Sequence, residues 1–380
     1  MTRVLMAEAT DYRSTARVGS HAIARAFVAG GADVCWVGTP LYPTTLAGSQ
    51  RDAQTRRRVG IWKHGGEITD ERVTEYYPLT LLPVVNRPFF RSRFAAVNTL
   101  RATIPPVGRV IRRHGFATPD LLWLSASRFS FPMMSLVTAR RRAYRMSDDW
   151  ASFPEVPRAL IDLEARIIDS VDAVFVTAHI LAERVRARRP DVVYLPNGVD
   201  EAFFSTPAAD DEIVRRLPRP RIVFVGTLGS WVDLDAVAAT ARRLPNASVV
   251  LVGPGEPAGG DRLPTNVHRT GPVEYERLPA VLHACDVGII PFRRVPRTEA
   301  ASSNKLFQYL AAGIPVVASR THEFDRTGAP ATLCDSADAF AEAVASALEH
   351  PDAGRSARVA FARQHTWATR FELVKRTLGL

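Results

Sequence analysis

Apolar positions along the chain fall into short dense clusters, separated by stretches where they recur every third or fourth residue. The clusters RVLMAEA, ADVCWVG, LLWLSAS, AYRMSDD, AVFVTA and VVYLP predict β-strands in the first half. GSHAIARAFVAGG, PRALIDLEARIIDSV and AHILAERVRAR between them carry helical spacing. After YLPNGVD the pattern restarts with the strand RIVFVGTLG and the helix DLDAVAATARRL. ASVVLVGPG, NVHRTG, ERLPAVLHAC, VGIIPF, SSNKLFQYLAAG and IPVVAS continue the alternation. Strands alternating with helices indicate βαβ units around parallel sheets, so two Rossmann-like units joined near Asn197-Gly198 are expected. A last stretch, SARVAFARQHTWATRFELVKRTL, predicts helix outside both sheets. Ligands of such sheets bind beyond the carboxyl ends of the strands, and two units facing one another would make a cleft.

Composition narrows the class without naming it. Apolar residues are 46% and charged residues 23% of 380, which excludes disorder, collagen and coiled coil and suits two domains. Cys35, Cys285 and Cys334 are odd in number and far apart, with no CxxC pair, which argues against a disulfide framework or a structural zinc. The N-terminus has no signal-type apolar core, and no apolar run approaches the roughly 18 residues of a membrane span. A cytoplasmic protein is expected, with a place on the inner face of a membrane left open. The 49 basic and 39 acidic residues leave +10, which favours acidic partners. Only Lys63, Lys305 and Lys375 are lysines, so a lysine inside a motif stands out.

Four constellations carry candidate chemistry. Ser302, Ser303 and Asn304 are good N-cap residues, and a helix start there, with Lys305 in its first turn, is a ready anion site. Gln308 shares the face of Lys305 and can bond sugar hydroxyls; a capped surface helix is the rival reading. Gly226, Thr227, Gly229 and Trp231 follow a strand, where glycines admit a ligand to the backbone. Their spacing is not GxGxxG, and the first unit has no such fingerprint either, which disfavours NAD or FAD chemistry. Asp148 and Asp149 end a strand; one could act as general base and the other cap the next helix, or both could be solvated. Ser20 and His21 begin the first helix on the same side. Asp233-Leu234-Asp235 has metal-like spacing but suits a helix start, and no other metal-ligand spacing stands out. Finally, residues 86–114 interleave arginines with aromatic and aliphatic residues, as does a segment lying on an anionic membrane or a partly buried helix with a basic face. No RNP, KH or zinc-finger pattern supports nucleic-acid binding.

The order of these pieces, ending in NKLFQYLAAGIPVVAS, resembles the GT-B glycosyltransferases over nearly the whole chain. The K-L-x-x-Y-x-x-x-G-x-P-V-V run is similar to that of bacterial exopolysaccharide and teichuronic-type enzymes, and the Lys305/Gln308 spacing to that of xanthan-type glucuronosyltransferases. The resemblance implies an α/β GT-B fold of two Rossmann-like domains facing across a cleft. An acceptor domain would span 1–198, a donor domain 199–358, and a helix at 359–380 would cross back to the first domain. It implies transfer from a nucleotide-diphosphate sugar, expected to be a UDP-sugar, to a saccharide or lipid-linked hydroxyl, without metal or other cofactor. Lys305 and Ser302 would bind the pyrophosphate, with Ser303 and Asn304 beside them. Gln308 would sit near ribose or phosphate, Phe292 near the nucleotide and Trp231 on the opening loop. Asp148 or Asp149 would be the base of an inverting displacement, with Ser20 and His21 on the acceptor side. The retaining branch carries two glutamates eight apart; here Gln308 stands at the second position and Ala300 at the first, with Glu299 one residue off. A nucleotide-sugar epimerase of the same fold, or a noncatalytic membrane- or polyanion-binding scaffold, are the alternatives.

Overall fold

The computed structural model describes residues 2–14, 17–48, 52–69, 71–207, 211–256, 260 and 263–380. These divide into two compact units: residues 2–14, 19–195 and 373–380 form one, and 17–18 with 196–372 the other. Thr15 and Ala16 lie outside the described residues.

Ten strands form in the first unit: β1 (Arg3–Ala7), β2 (Asp33–Val37), β3 (Glu67–Ile68), β4 (Val73–Tyr76), β5 (Leu79–Thr80), β6 (Thr103–Ile104), β7 (Leu121–Ser125), β8 (Arg141–Met146), β9 (Ala173–Val176) and β10 (Val193–Tyr194). Eight of them make one sheet in the order β10-β9-β8-β7-β1-β2-β4-β3, parallel except for the β3 edge. β5 and β6 pair as a separate antiparallel ribbon. At the sheet's centre Leu5 stands between Cys35 and Leu122. Trp36 and Trp123 are fully buried, and β7 is buried at every residue, as a parallel sheet covered on both faces requires.

The second unit has six strands: β11 (Arg221–Val225), β12 (Ser248–Val252), β13 (Val267–Gly271), β14 (Val287–Ile290), β15 (Val316–Ser319) and β16 (Thr332–Cys334). They are all parallel, in the order β13-β12-β11-β14-β15-β16. Chain order reverses between β11 and β14, the topological switch point at which doubly wound sheets bind ligands.

Several expectations need correcting. The last stretch is two helices, Arg355–Arg363 and Trp367–Leu378, rather than one. The break at Thr366 arises because Val199 donates its N–H to the His365 carbonyl and accepts from Trp367 N. Gly198 permits this approach, since a Cβ there would come within 2.9 Å of that same carbonyl. ERLPAVLHAC opens as a 3₁₀ turn, Tyr275–Arg277, before the helix Leu278–His283. The helix Ala53–His64 and the strands β3 and β4 were not expected. Arginines dilute the apolar periodicity of that helix, but Asp52 caps it through Thr55 N and Gly65 closes it in the left-handed conformation.

Candidate functional site

The helix Asn304–Ala312 buries most of its residues in the core of the second unit, and Tyr309 sets its place on the sheet. Gly288 on β14 has no side chain, and a Cβ there would lie 2.4 Å from the Tyr309 ring, so the ring rests directly on the strand. The Tyr309 hydroxyl accepts from the Val225 backbone N–H at 2.8 Å. The start of the helix is thereby fixed beside the carboxyl end of β11. Ser303 is the N-cap residue, but contrary to expectation no side chain caps the helix. Ser303 Oγ and Asn304 Oδ1 are buried without hydrogen-bond partners. Ser302 Oγ instead accepts from Asn197 N at 3.0 Å, and its carbonyl accepts from Asn197 Nδ2 at 2.6 Å. The N–H groups of the first turn are therefore not taken up by a side-chain cap.

Lys305 projects from that turn between two rings, its Nζ 5.3 Å from the centre of Phe224 and 5.2 Å from that of Phe292. Among the described residues it makes no ion pair or hydrogen bond. Burial pushes its pKa down to about 8. Gly226, at φ 143°, leaves the space it needs, because a Cβ would stand 2.7 Å from Lys305 Cε. Gly253 at the end of β12 is likewise required, since its Cβ would fall 2.1 Å from the Gly226 carbonyl.

A cavity of about 240 Å³ opens at this point, beyond the carboxyl ends of β11, β12 and β13. Gly226, Thr227, Asn304, Lys305 and Gln308 line one side. Pro254, Pro272, Val273, Tyr275 and Leu278 give it an apolar end. Arg17 also lines it and pairs with Glu276 at 3.5 Å. Sequence reasoning missed Arg17, because a loop arginine carries no local signal of where it reaches. The cavity has a cationic, hydrogen-bonding side and an apolar side, which suits a nucleoside phosphate.

The other donor-side expectations, Phe292 and Trp231, do not line the cavity. Phe292 stacks on Phe324 and flanks Lys305. Trp231 lies under the Arg297 guanidinium at 4.1 Å, and its indole fills the space beside Gly229. Glu299, one residue off the retaining pattern, is occupied: Oε2 accepts from His322 N at 2.6 Å and Oε1 from Arg294 Nε at 3.1 Å. Asp233 caps the helix Leu234–Arg243, so its spacing to Asp235 is a helix start. Among the described residues no group of three or more His, Cys, Asp or Glu could hold a metal ion.

In the first unit, Asp149 caps the turn Trp150–Ser152 through Ala151 N and pairs with Arg184 at 2.5 Å. Asp148 is exposed and accepts a hydrogen bond from Ser147 Oγ at 2.8 Å. His21 is buried against Tyr12 and Trp36, with Nε2 3.0 Å from the Asp11 carbonyl. Ser20 is buried 3.4 Å from Ser125 Oγ. Next to them lies a carboxylate that the sequence did not single out. Glu8, just past β1, accepts from Ser125 Oγ at 2.7 Å, and burial raises its pKa to about 7 against the pull of Ser125, Ser20 and Arg145. A cavity of about 310 Å³ opens at the same carboxyl edge, with Tyr42, Arg128, Trp150, Phe153 and Glu155 among its walls.

Residues 219–350 match the family described as Glycosyl transferases group 1. TuaH of Bacillus subtilis (strain 168), described as a teichuronic acid biosynthesis glycosyltransferase, is 31% identical over 210 residues, 49% of this chain and 52% of its own. The chain thus spans about half the length of that curated relative. Sucrose-phosphate synthase from Thermosynechococcus elongatus superposes with a TM-score of 0.72 at 15% identity, covering 99% of this chain and 98% of that one. Anabaena HepE, solved with UDP and glucose, gives 0.70 at 14% identity over the whole of both chains. The α,α-trehalose 6-phosphate synthase of Burkholderia multivorans gives 0.67 at 16%, covering 100% of this chain and 98% of that one. The fold is that of the GT-B glycosyltransferases, two Rossmann-like domains, and the residues that match the group 1 family lie in the second unit.

Proposed function

We propose that this chain, with a Glycosyl transferases group 1 domain in its second unit, moves a sugar from a nucleoside-diphosphate donor to an acceptor hydroxyl. The observation that carries the reading is Lys305, a cation half-buried between two rings, without a counter-charge, at an open helix N-terminus beside a cavity. A buried charge is costly unless paired, so the site is completed by an anion. The donor diphosphate takes that place, with Thr227, Asn304 and Arg17 around it and Gln308 toward the ribose. The nucleobase takes the apolar end at Val273, Tyr275 and Leu278. HepE, a GT-B neighbour, binds UDP-glucose, which supports uridine as the base.

The acceptor, a saccharide or a lipid-linked one, belongs to the first unit. Asp148 is the proposed base, since Asp149 is held by a cap and an ion pair. It takes the proton of the acceptor hydroxyl as that oxygen bonds to the anomeric carbon. The bond from that carbon to the diphosphate breaks, and the sugar is inverted. Lys305 and the helix terminus neutralise the departing diphosphate, so that no metal is needed in this reading.

The test is calorimetric titration of UDP and UDP-sugars into the full chain. Lys305→Ala should weaken binding by about 2–4 kcal/mol, roughly 30- to 1000-fold. Unchanged affinity would remove the diphosphate assignment.

A further inference from the structure

From Tyr76 to Pro119 the chain contains seven arginines and no acidic residue. All seven, Arg87, Arg91, Arg93, Arg101, Arg109, Arg112 and Arg113, are exposed. The structure separates the 86–114 segment into two halves of different character. The helix Val107–Arg113 buries Val107, Val110 and Ile111 and turns its arginines to water, the partly buried alternative. The half before it does the opposite. Phe89 and Phe94 are each 60% exposed and Leu81 55%. Phe89, Phe90 and Phe94 form one aromatic group, with ring centres 5.4 and 6.2 Å apart.

Phe89 holds a φ of 65°, a left-handed conformation that a bulky side chain seldom adopts and that costs energy. The backbone strain therefore accompanies a display of aromatic rings to water, and burial in the fold does not compensate it. Beside the group runs a groove of about 570 Å³ lined by Pro43, Leu81, Pro83, Val85, Arg87 and Phe90. Arg87, Arg91 and Arg93 have no acidic partner among the described residues. Protruding apolar residues ringed by unneutralised arginines match the two layers of a membrane surface, hydrocarbon and anionic headgroup. Leu81, Val85 and the two prolines put saturated carbon beside the rings, a lining that suits hydrocarbon better than stacked nucleobases.

We infer that the knob formed by Leu81, Phe89, Phe90 and Phe94, with Arg87, Arg91 and Arg93 around it, docks the first unit on anionic lipid bilayers. The inference does not depend on the glycosyl-transfer reading.

Co-sedimentation of the full chain with phosphatidylcholine vesicles, with and without phosphatidylglycerol, tests it. Binding should require the anionic lipid and weaken with salt. R91E/R93E should weaken it at least tenfold, from about fivefold per arginine removed. R242E/R243E, the same charge change on exposed residues of the second unit, should leave it within about twofold. F89S and F94S, each made singly because both side chains are exposed, should each weaken it about tenfold or more at unchanged melting temperature. The proposal is overturned by absence of binding at low salt, by equal losses in the two charge-reversal pairs, by wild-type binding of both serine variants, or by tighter binding to single-stranded RNA than to vesicles. UDP titration on the same variants separates the two readings: lost vesicle binding with intact UDP affinity leaves the donor site standing, and the converse leaves the membrane surface standing.

Discussion

Lys305 of the second unit and the buried carboxylates of the first hold their charge in opposite ways. In the second, Lys305 has aromatic neighbours, no counter-charge and an open cavity in front of it. In the first, each buried carboxylate has donors built in. Glu8 takes the Ser125 hydroxyl, Glu164 the Tyr144 hydroxyl, and Glu75 both the Tyr77 hydroxyl and the Arg57 guanidinium. Internally satisfied charges fix a fold, whereas a charge left unsatisfied beside a cavity is held for a ligand. The difference supports the proposal of an anion site at Lys305, while in the first unit Asp148 stays exposed and accepts from the Ser147 hydroxyl.

The largest effect that could break this contrast is on turnover. Asp148→Asn should lower kcat by about 10²–10⁴-fold at unchanged donor affinity. Asp149→Asn should keep kcat within a few-fold and lower stability by less than about 1 kcal/mol, because the amide oxygen still caps the turn and only the ion pair with Arg184 is lost. Steady-state kinetics with paired thermal melts would reverse the assignment if Asp149 proved the sensitive residue.

Donor affinity should come next. Because the free protein's Lys305 titrates near 8, UDP affinity should fall above that pH by up to about tenfold per unit. Lys305→Arg stays charged and should flatten the profile in titrations between pH 7 and 10. A profile for the native chain as flat as the variant's would detach the lysine from the anion.

The smallest effects are on stability, with opposite signs in the two units. The folded pKa of Lys305 is lowered from 10.5 to about 8, so the unfolded chain binds more protons across that window and ligand-free stability rises with pH there. Lys305→Met should remove this slope and raise the neutral melting temperature. The folded pKa of Glu8 is raised from 4.5 to about 7, so the folded chain holds the extra proton and stability falls as pH rises across that window. Glu8→Gln should recover about 1–3 kcal/mol at neutral pH, measured by denaturant unfolding.

The strands β1, β2, β7, β11, β12 and β14 were legible because doubly covered parallel strands read as unbroken apolar runs. NKLFQYLAAG was equally plain, since Gly313 in the left-handed conformation ends a helix whose apolar face faces the sheet. The fate of Ser302 was not legible, because its partner Asn197 is 105 residues away. Neither was Glu8, which in sequence is a polar residue after a strand and becomes a buried one only when β7 brings Ser125 against it. Adjacent aspartates at a strand end could not be told apart until the turn that Asp149 caps was in view. Long-range partners decided the first two and a local turn the third, and periodicity carries no information about either.

The helix Trp367–Leu378 begins among the residues of the second unit, while residues 373–380 belong to the first. Val374 and Leu378 are buried there. During synthesis, then, the first unit emerges early but stays incomplete until the second has been made. Domains usually fold in the order they leave the ribosome, and this one must wait for its own far end. Truncation before Leu373 would therefore injure the half of the protein that was made first.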